Sequence, residues 1–184
     1  MLLTHYYHQN ERPFQSLSAL SDRDALEIIS SLQGRTGLVY RRFKNPESYL
    51  KLRRETENWL RNEFINKGGK PKSNYPHYFV VDRSTWIEAG YNGHFNQIEM
   101  PITSIDPEQI SFTYPDSMVS YWLQTQTDKD YYRSEYHGRV FSLAEITQLI
   151  DRFGIPDHEW ETQANRKYDL FIEAQVWNID LLLS

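Results

Sequence analysis

The stretch DLFIEAQVW, residues 169–177, has the pattern of a β-strand with two unlike faces. Side chains of an extended chain alternate between the two sides of a sheet. One side receives the apolar residues Leu170, Ile172, Ala174 and Val176. The other side places Glu173 and Gln175 between Phe171 and Trp177. A carboxylate and a carboxamide between two aromatic rings suit a buried polar site and a hydrated sheet edge equally well. One face of this strand is therefore predicted to pack in the hydrophobic core, and the other face is a candidate for a functional site.

Runs of β-branched and aromatic residues outside this stretch predict further strands. The predicted strands are residues 2–8 (LLTHYYH), 77–81 (HYFVV), 97–103 (QIEMPIT) and 110–114 (ISFTY). The stretch TGLVYRRF at 36–43 is compatible with one more short strand.

Helix signals lie between these strands. Capping residues followed by apolar stripes predict helices that begin near Ser21, Asn45, Asp116 and Ser142. In the second of these helices, Arg53 and Glu57 stand at i, i+4 spacing, which we interpret as an ion pair on the outer face.

Strands and helices do not alternate along the chain, and this order favours an α+β fold over a doubly wound one. We expect residues 1–184 to form a single globular domain. Its sheet is predicted to be mixed or mostly antiparallel, with about five strands packed by three to four helices.

Composition excludes several functional classes. The chain has no cysteine, so disulfides, thiolate metal sites and cysteine nucleophiles are excluded. Neither a signal peptide nor a membrane-spanning apolar run is recognisable. We therefore expect a soluble, cytoplasmic protein that does not interact with membranes.

Charge is distributed unevenly along the chain. Residues 35–72 carry eleven cations and four anions, whereas residues 93–184 carry six cations and fifteen anions. The two regions could attract an anionic ligand, each other, or a second copy of the chain. The net charge of −5 argues against nucleic-acid binding.

Common catalytic and metal-binding motifs are missing. The sequence lacks a GxSxG nucleophile elbow, a GxxxxGK phosphate loop and a GxGxxG dinucleotide motif. His5 and His8 have an odd separation, which sends them to opposite faces of a strand, where they cannot share an ion. We predict neither a metal nor a cofactor.

Tyrosine is unusually frequent, with thirteen residues in the chain. Eight of them lie between positions 75 and 136. Their rings could stack on a base or a sugar, or they could form a partner interface. In TYPDS (113–117), Tyr114 and Asp116 occupy a strand-to-helix corner that could hold an anion, although Asp116 could equally serve only as the helix cap.

Glu173 is the strongest candidate for a catalytic group. Burial between Phe171 and Trp177 would raise the pKa of its carboxyl towards the range useful for general acid or base catalysis. Glu173 followed by Gln175 loosely resembles ADP-ribosyltransferases, in which a late-strand glutamate stabilises an oxocarbenium-like state, although the order of the two residues is reversed here. Alternatively, Glu173 forms a salt bridge with Arg42 or Arg53 and closes the sheet edge.

Two functional hypotheses follow from these patterns. The first is a ligand-binding or protein-interaction domain with a tyrosine-rich surface, able to self-associate or to take a small polar ligand. The second is a small enzyme acting on a nucleotide or sugar, with Arg42 or Lys70 holding phosphate. The candidate catalytic residues are Glu173, His5 and Tyr114, and the candidate ligand-binding residues are Gln175, Arg42, Tyr78, His77 and Trp177. The enzyme hypothesis requires Glu173 to line a pocket with a nearby His or Arg, whereas the interaction hypothesis requires an exposed tyrosine patch.

Overall fold

The computed structural model describes residues 1–156, 166–178 and 180. Within this part, the chain forms one antiparallel sheet of six strands with helices packed on both faces. The predicted α+β class is confirmed, and the sheet has one strand more than expected.

The strands are short and pair only in antiparallel fashion among the described residues. They are β1 (Leu2–His8), β2 (His77–Val81), β3 (Phe95–Pro101), β4 (Ile110–Thr113), β5 (Val140–Phe141) and β6 (Glu173–Val176). Their order across the sheet is β3-β1-β2-β6-β4-β5. Because β6 lies between β2 and β4, the prediction that Glu173 closes a sheet edge is wrong.

Five α-helices are found in the described ranges. They are α1 (Asp22–Leu32), α2 (Pro46–Asn66), α3 (Thr85–Gly90), α4 (Ser117–Leu123) and α5 (Leu143–Phe153). The predicted caps are present for α1, α4 and α5: Ser21 accepts from Asp24 N, Asp116 accepts from two backbone amides, and Ser142 forms a capping box with Glu145. No helix in the described part is long and apolar enough to cross a membrane.

The stretch at 36–43 is a 3-10 helix, Leu38–Lys44, instead of a strand. Gly37 adopts φ 129°, and a Cβ at this position would come within 2.4 Å of the Gly90 carbonyl oxygen. Val39, Tyr40 and Phe43 are all buried in a cluster with α1 and the start of α2. Tight packing against α1 and α3 thus overrides the strand propensity of these residues.

The strand predicted over residues 169–177 is confirmed only for Glu173–Val176, and the predicted alternation of faces holds there. Ile172, Ala174 and Val176 enter the main apolar core, together with Phe112 of β4 and Ile146 of α5. The opposite sheet face lies under α2 and is polar at its centre. Its buried polar side chains are Thr4, Ser111, Thr113, Glu173 and Gln175.

Helix α2 turns charged residues towards this polar face. Arg53 Nε donates to Glu57 Oε1 at 3.0 Å, and the Glu57 side chain is only 1 % exposed. The apolar Leu52 of the same helix is 39 % exposed instead. The prediction that the Arg53–Glu57 pair faces outward is therefore wrong, because the pair packs against a sheet face that offers polar partners.

Candidate functional site

A cavity of about 520 Å³ opens between the polar sheet face and the helices that cover it. Its walls come from β1, β2 and β6, from α2 and α3, from the 3-10 helix Leu38–Lys44 and from the start of α4. The site thus depends on the whole tertiary fold and on no single sequence motif.

The sheet register sets the floor of the cavity. Val80 is the pairing partner of Thr4 on one side and of Glu173 on the other. All three side chains line the cavity. Since neighbouring strands lie about 4.8 Å apart, Thr4 and Glu173 stand roughly 10 Å from each other, with Val80 between them.

Glu173 is held rigidly at this floor and is 8 % exposed. Its Oε1 accepts hydrogen bonds from the Ser117 backbone amide at 3.2 Å and from Gln175 Nε2 at 3.1 Å. Burial raises the pKa of the Glu173 carboxyl, Arg53 opposes this shift, and the nearby Asp116 adds to it.

Asp116 brings a second carboxyl group to the same cavity. Its Oδ1 accepts from the backbone amides of Met118 and Val119, both at 3.1 Å. Burial raises the pKa of Asp116 even though these amides, Arg42 and Arg53 lower it. The corner formed by TYPDS therefore both caps α4 and contributes to the site.

The third carboxylate in the cavity wall, Glu57, belongs to a compact network with Arg53 and Tyr78. Tyr78 OH donates to Glu57 Oε1 at 2.9 Å, and the Arg53 guanidinium lies 3.7 Å from the centre of the Tyr78 ring. Burial raises the pKa of Tyr78 well above its usual value, so its hydroxyl stays protonated. The network holds Glu57 in place through one oxygen only.

Two buried acceptors that belong to cavity-lining residues have no hydrogen-bond partner among the described residues: Glu57 Oε2 and Thr4 Oγ1. Each residue is 1 % exposed. An unsatisfied buried polar atom costs about 1–3 kcal/mol, so proteins rarely retain one without a reason. Both atoms are shielded from solvent in the free protein, so a ligand can hydrogen-bond to them only if the neighbouring side chains shift.

The two histidines in the cavity wall are uncharged at neutral pH. Burial lowers the pKa of His5 to about 4 and also lowers that of His77. His5 Nδ1 lies 2.8 Å from the Tyr78 carbonyl oxygen, and His5 Nε2 accepts from Phe14 N at 3.1 Å. Both His5 ring nitrogens are thus engaged by backbone groups, which restricts any catalytic use of this side chain.

The remaining predicted residues divide between the cavity and its surroundings. Arg42 lines the cavity, and its Nε donates to the Val39 carbonyl oxygen at 2.6 Å. Gln175 lies behind Glu173, with its amide bonded to Ser111 Oγ and Thr113 Oγ1 as well, so it positions Glu173. Lys70 pairs with Glu108 at 2.7 Å, away from the cavity.

Tyr114 and Trp177 do not line the cavity. Tyr114 is buried in the apolar core on the other side of the sheet, where its OH lies 3.4 Å from the Gly154 carbonyl oxygen. Trp177 packs beside Phe64 and donates from Nε1 to Ser111 Oγ at 2.9 Å. Neither residue therefore shares the cavity with Glu173.

Sequence reasoning missed Thr4, Arg53, Glu57 and Asp116 as members of one site. A detectable signal existed for two of them. One side of α2 carries five residues at helical spacing: Tyr49, Arg53, Glu57, Leu60 and Phe64. The two charged residues therefore lie on the same stripe as three buried apolar ones. Thr4 and Asp116 depend on strand pairing and packing that the sequence does not display.

The tyrosines form no exposed patch in the described part of the chain. Tyr114 and Tyr136 are buried, and the other tyrosines between positions 75 and 136 are half-buried. Several of them contact other aromatic rings, as in the cluster of Tyr131 with Trp122 and Tyr168.

Comparisons with known proteins do not add to this picture. No family model, no curated protein and no solved structure matches the chain. Within the described residues, no group of three or more side chains is arranged to hold a metal ion. Functional inference therefore starts from the geometry of the cavity.

Proposed function

We propose that the protein is a small enzyme that acts on a nucleotide or sugar in this cavity, with Glu173 as its acid or base. The observation that carries the proposal is the pair of carboxyl groups, Glu173 and Asp116, in one cavity with Arg53. Burial raises the pKa of both carboxyls, and general acid catalysis at neutral pH needs such a shift.

The surroundings of Glu173 suit proton transfer to a leaving group. The Ser117 amide and Gln175 fix the carboxyl in one orientation, and this removes the entropic cost of aligning it at each turnover. Asp116 is a second carboxyl that could activate water or support positive charge. Most enzymes that hydrolyse glycosidic bonds use two carboxyl groups in these roles. The loose resemblance to ADP-ribosyltransferases supports the same chemistry.

Aromatic rings in the wall supply a surface for the substrate. Trp86 and Phe171 line the cavity with their ring centres 5.8 Å apart. Aromatic faces stack well on sugars and bases.

A binding protein without chemistry is the second candidate. The unpartnered Glu57 Oε2 and Thr4 Oγ1 favour it, because any ligand rich in hydrogen-bond donors would satisfy them. The two candidates differ in one respect only: whether the bound ligand is converted.

A thermal-shift screen with nucleotides, sugars and sugar phosphates tests both candidates. A ligand that binds only the native state raises the unfolding midpoint. Each stabilising compound is then incubated with the protein and assayed for bond cleavage. We expect Glu173→Gln to abolish turnover while the same compound still raises the midpoint. Glu55→Gln, on the exposed side of α2, is the matched control and keeps full activity.

The cytoplasmic location and self-association remain proposals with separate support. The cysteine-free composition supports a reducing compartment. Trp122 is 40 % exposed beside Tyr131, and exposed tryptophan is enriched at interfaces. Cell fractionation tests the first proposal. Analytical ultracentrifugation of the native protein and of Trp122→Gln tests the second.

A further inference from the structure

The charges in the cavity wall do not balance. Among the described lining residues, three carry carboxyl groups (Glu57, Asp116 and Glu173) and two carry guanidinium groups (Arg42 and Arg53). His5 and His77 add no positive charge, because burial lowers the pKa of both. With every carboxyl ionised, the cavity holds one negative charge in excess.

Two of the three carboxyl groups are also shielded from water. Burial raises the pKa of Asp116 and Glu173, and each remains raised despite the nearby arginines. A buried carboxylate is stable when it is paired and hydrogen-bonded, and otherwise it takes up a proton. The free cavity therefore lacks one positive partner.

A buried acceptor marks where that partner can bind. Glu57 Oε1 already accepts from Arg53 and Tyr78, whereas Oε2 of the same carboxylate has no partner among the described residues. A charged donor makes the strongest hydrogen bond to such an oxygen. Thr4 Oγ1, the other unpartnered acceptor, suits a hydroxyl donor.

The aromatic wall also suits a cation. Arg53 already lies over the Tyr78 ring, which shows that this environment tolerates positive charge on an aromatic face. Trp86 and Phe171 line the same cavity. Aromatic faces attract organic cations through their quadrupoles.

An anionic ligand fits the same wall poorly. Phosphate would have to approach three carboxyl groups. Of the two guanidinium groups, Arg53 is bonded to Glu57, and Arg42 donates to the Val39 carbonyl oxygen and interacts with Asp116. This argues against Arg42 as a phosphate holder.

We propose that the ligand of this cavity is a small polyhydroxylated amine, such as an amino sugar or an amino nucleoside, whose ammonium group pairs with Glu57. Its hydroxyl groups reach Thr4, and its ring lies over Val80 with the reacting end towards Glu173. This inference rests on the proposed function and narrows its substrate class to cationic sugars and nucleosides, which excludes nucleotides because their phosphate groups are anionic.

Matched pairs of compounds test the inference on the full chain. The probes are glucosamine with glucose and N-acetylglucosamine, 3′-amino-3′-deoxyadenosine with adenosine, and glucose 6-phosphate as the anionic counterpart. Affinity is measured by calorimetry near pH 7 at low salt. We expect at least one amine to bind ten or more times more tightly than its uncharged parent, and the phosphate to bind least.

Variants of cavity residues test whether the preference for amines over uncharged parents arises in this cavity. Glu57→Gln keeps an acceptor for Arg53 and Tyr78 but removes the charge, so the ratio between amine and parent should fall close to one. Asp116→Asn, which can still cap α4, should lower the same ratio and serves if Glu57→Gln does not fold. Glu55→Gln should leave the ratio unchanged.

The outcomes separate this inference from the proposed function. If uncharged sugars or nucleosides bind as tightly as their amines, or if the phosphate binds best, the inference is overturned and the proposed function stands. If an amine preference survives Glu57→Gln and Asp116→Asn, the cation binds elsewhere and the inference is also overturned. If no sugar, nucleoside or nucleotide binds, the proposed function fails with it.

Discussion

The two faces of the central sheet are built from the same strands and yet differ in almost every property. Beneath α5, Phe112, Ala174 and Val176 lie in the main apolar core. Beneath α2, the face of Glu173 and Gln175 borders a cavity whose described lining includes three carboxyl groups, two arginines and unpartnered acceptors. Strand β6 supplies alternate residues to both.

This difference indicates that one sheet face stabilises the fold and the other forms the candidate site. The apolar face stabilises the fold by burying area, and such burial tolerates no polar substitution. The polar face holds its groups by networks that are only partly satisfied, which lowers stability and preserves reactivity. Variants on the two faces should therefore respond in opposite ways.

The largest effect is expected on the apolar face. Phe112→Ala removes a fully buried ring from the core beneath α5. Large-to-small substitutions of this kind cost about 3–5 kcal/mol, so we expect a loss of about 4 kcal/mol in the free energy of unfolding, measured by urea denaturation. A loss below about 1 kcal/mol would show that this core can collapse around the gap.

The next effect concerns the ion pair on the polar face. Arg53→Met leaves the Glu57 carboxylate buried without its cation, and breaking a buried pair from one side costs about 3 kcal/mol. The double variant Arg53→Met with Glu57→Leu removes both charges, so we expect it to regain at least half of the lost stability in the same urea experiment. A double variant no more stable than the single one contradicts this account.

A smaller effect is expected at Glu173, where substitution should raise the stability of the folded protein instead of lowering it. Its folded-state pKa is raised, mainly by burial, so the stability associated with its neutral form is present below the unfolded pKa and is lost as pH rises through the folded pKa. Glu173→Gln stays neutral throughout. We expect its melting temperature to exceed that of the parent protein at pH 8, with the difference vanishing near pH 4. A constant difference across this range would refute the assignment.

The two faces also differed in how well the sequence predicted them. The alternation within Glu173–Val176 and the caps at Ser21 and Ser142 are local properties, and each was predicted correctly, although the predicted strand extended too far at both ends. The apolar face could be inferred because hydrophobic periodicity reports burial directly. The polar face was predicted only in part. Alternation predicted Glu173 and Gln175 on one side, but Arg53 and Glu57 were interpreted as an exposed pair although they share a stripe with buried apolar residues of α2. Glu57 meets Tyr78 only through tertiary packing across 21 residues.

The smallest predicted effect tests whether the polar face is left unsatisfied for a ligand. Thr4 and Thr113 occupy the same row of this face, since both flank the Val80–Glu173 pair. Thr113 Oγ1 accepts from Gln175 Nε2 at 3.1 Å, whereas Thr4 Oγ1 has no partner in the described part of the chain. Replacing an unpartnered hydroxyl by a methyl group removes a desolvation cost, and replacing a bonded one creates a new orphan.

We therefore expect Thr4→Val to stabilise the free protein by about 1 kcal/mol and Thr113→Val to destabilise it by a similar amount, measured by urea unfolding at pH 7. Thr4→Val should at the same time weaken binding of any ligand found for the cavity. If both variants destabilise equally, Thr4 Oγ1 already has a solvent partner, and the polar face is as complete as the apolar one.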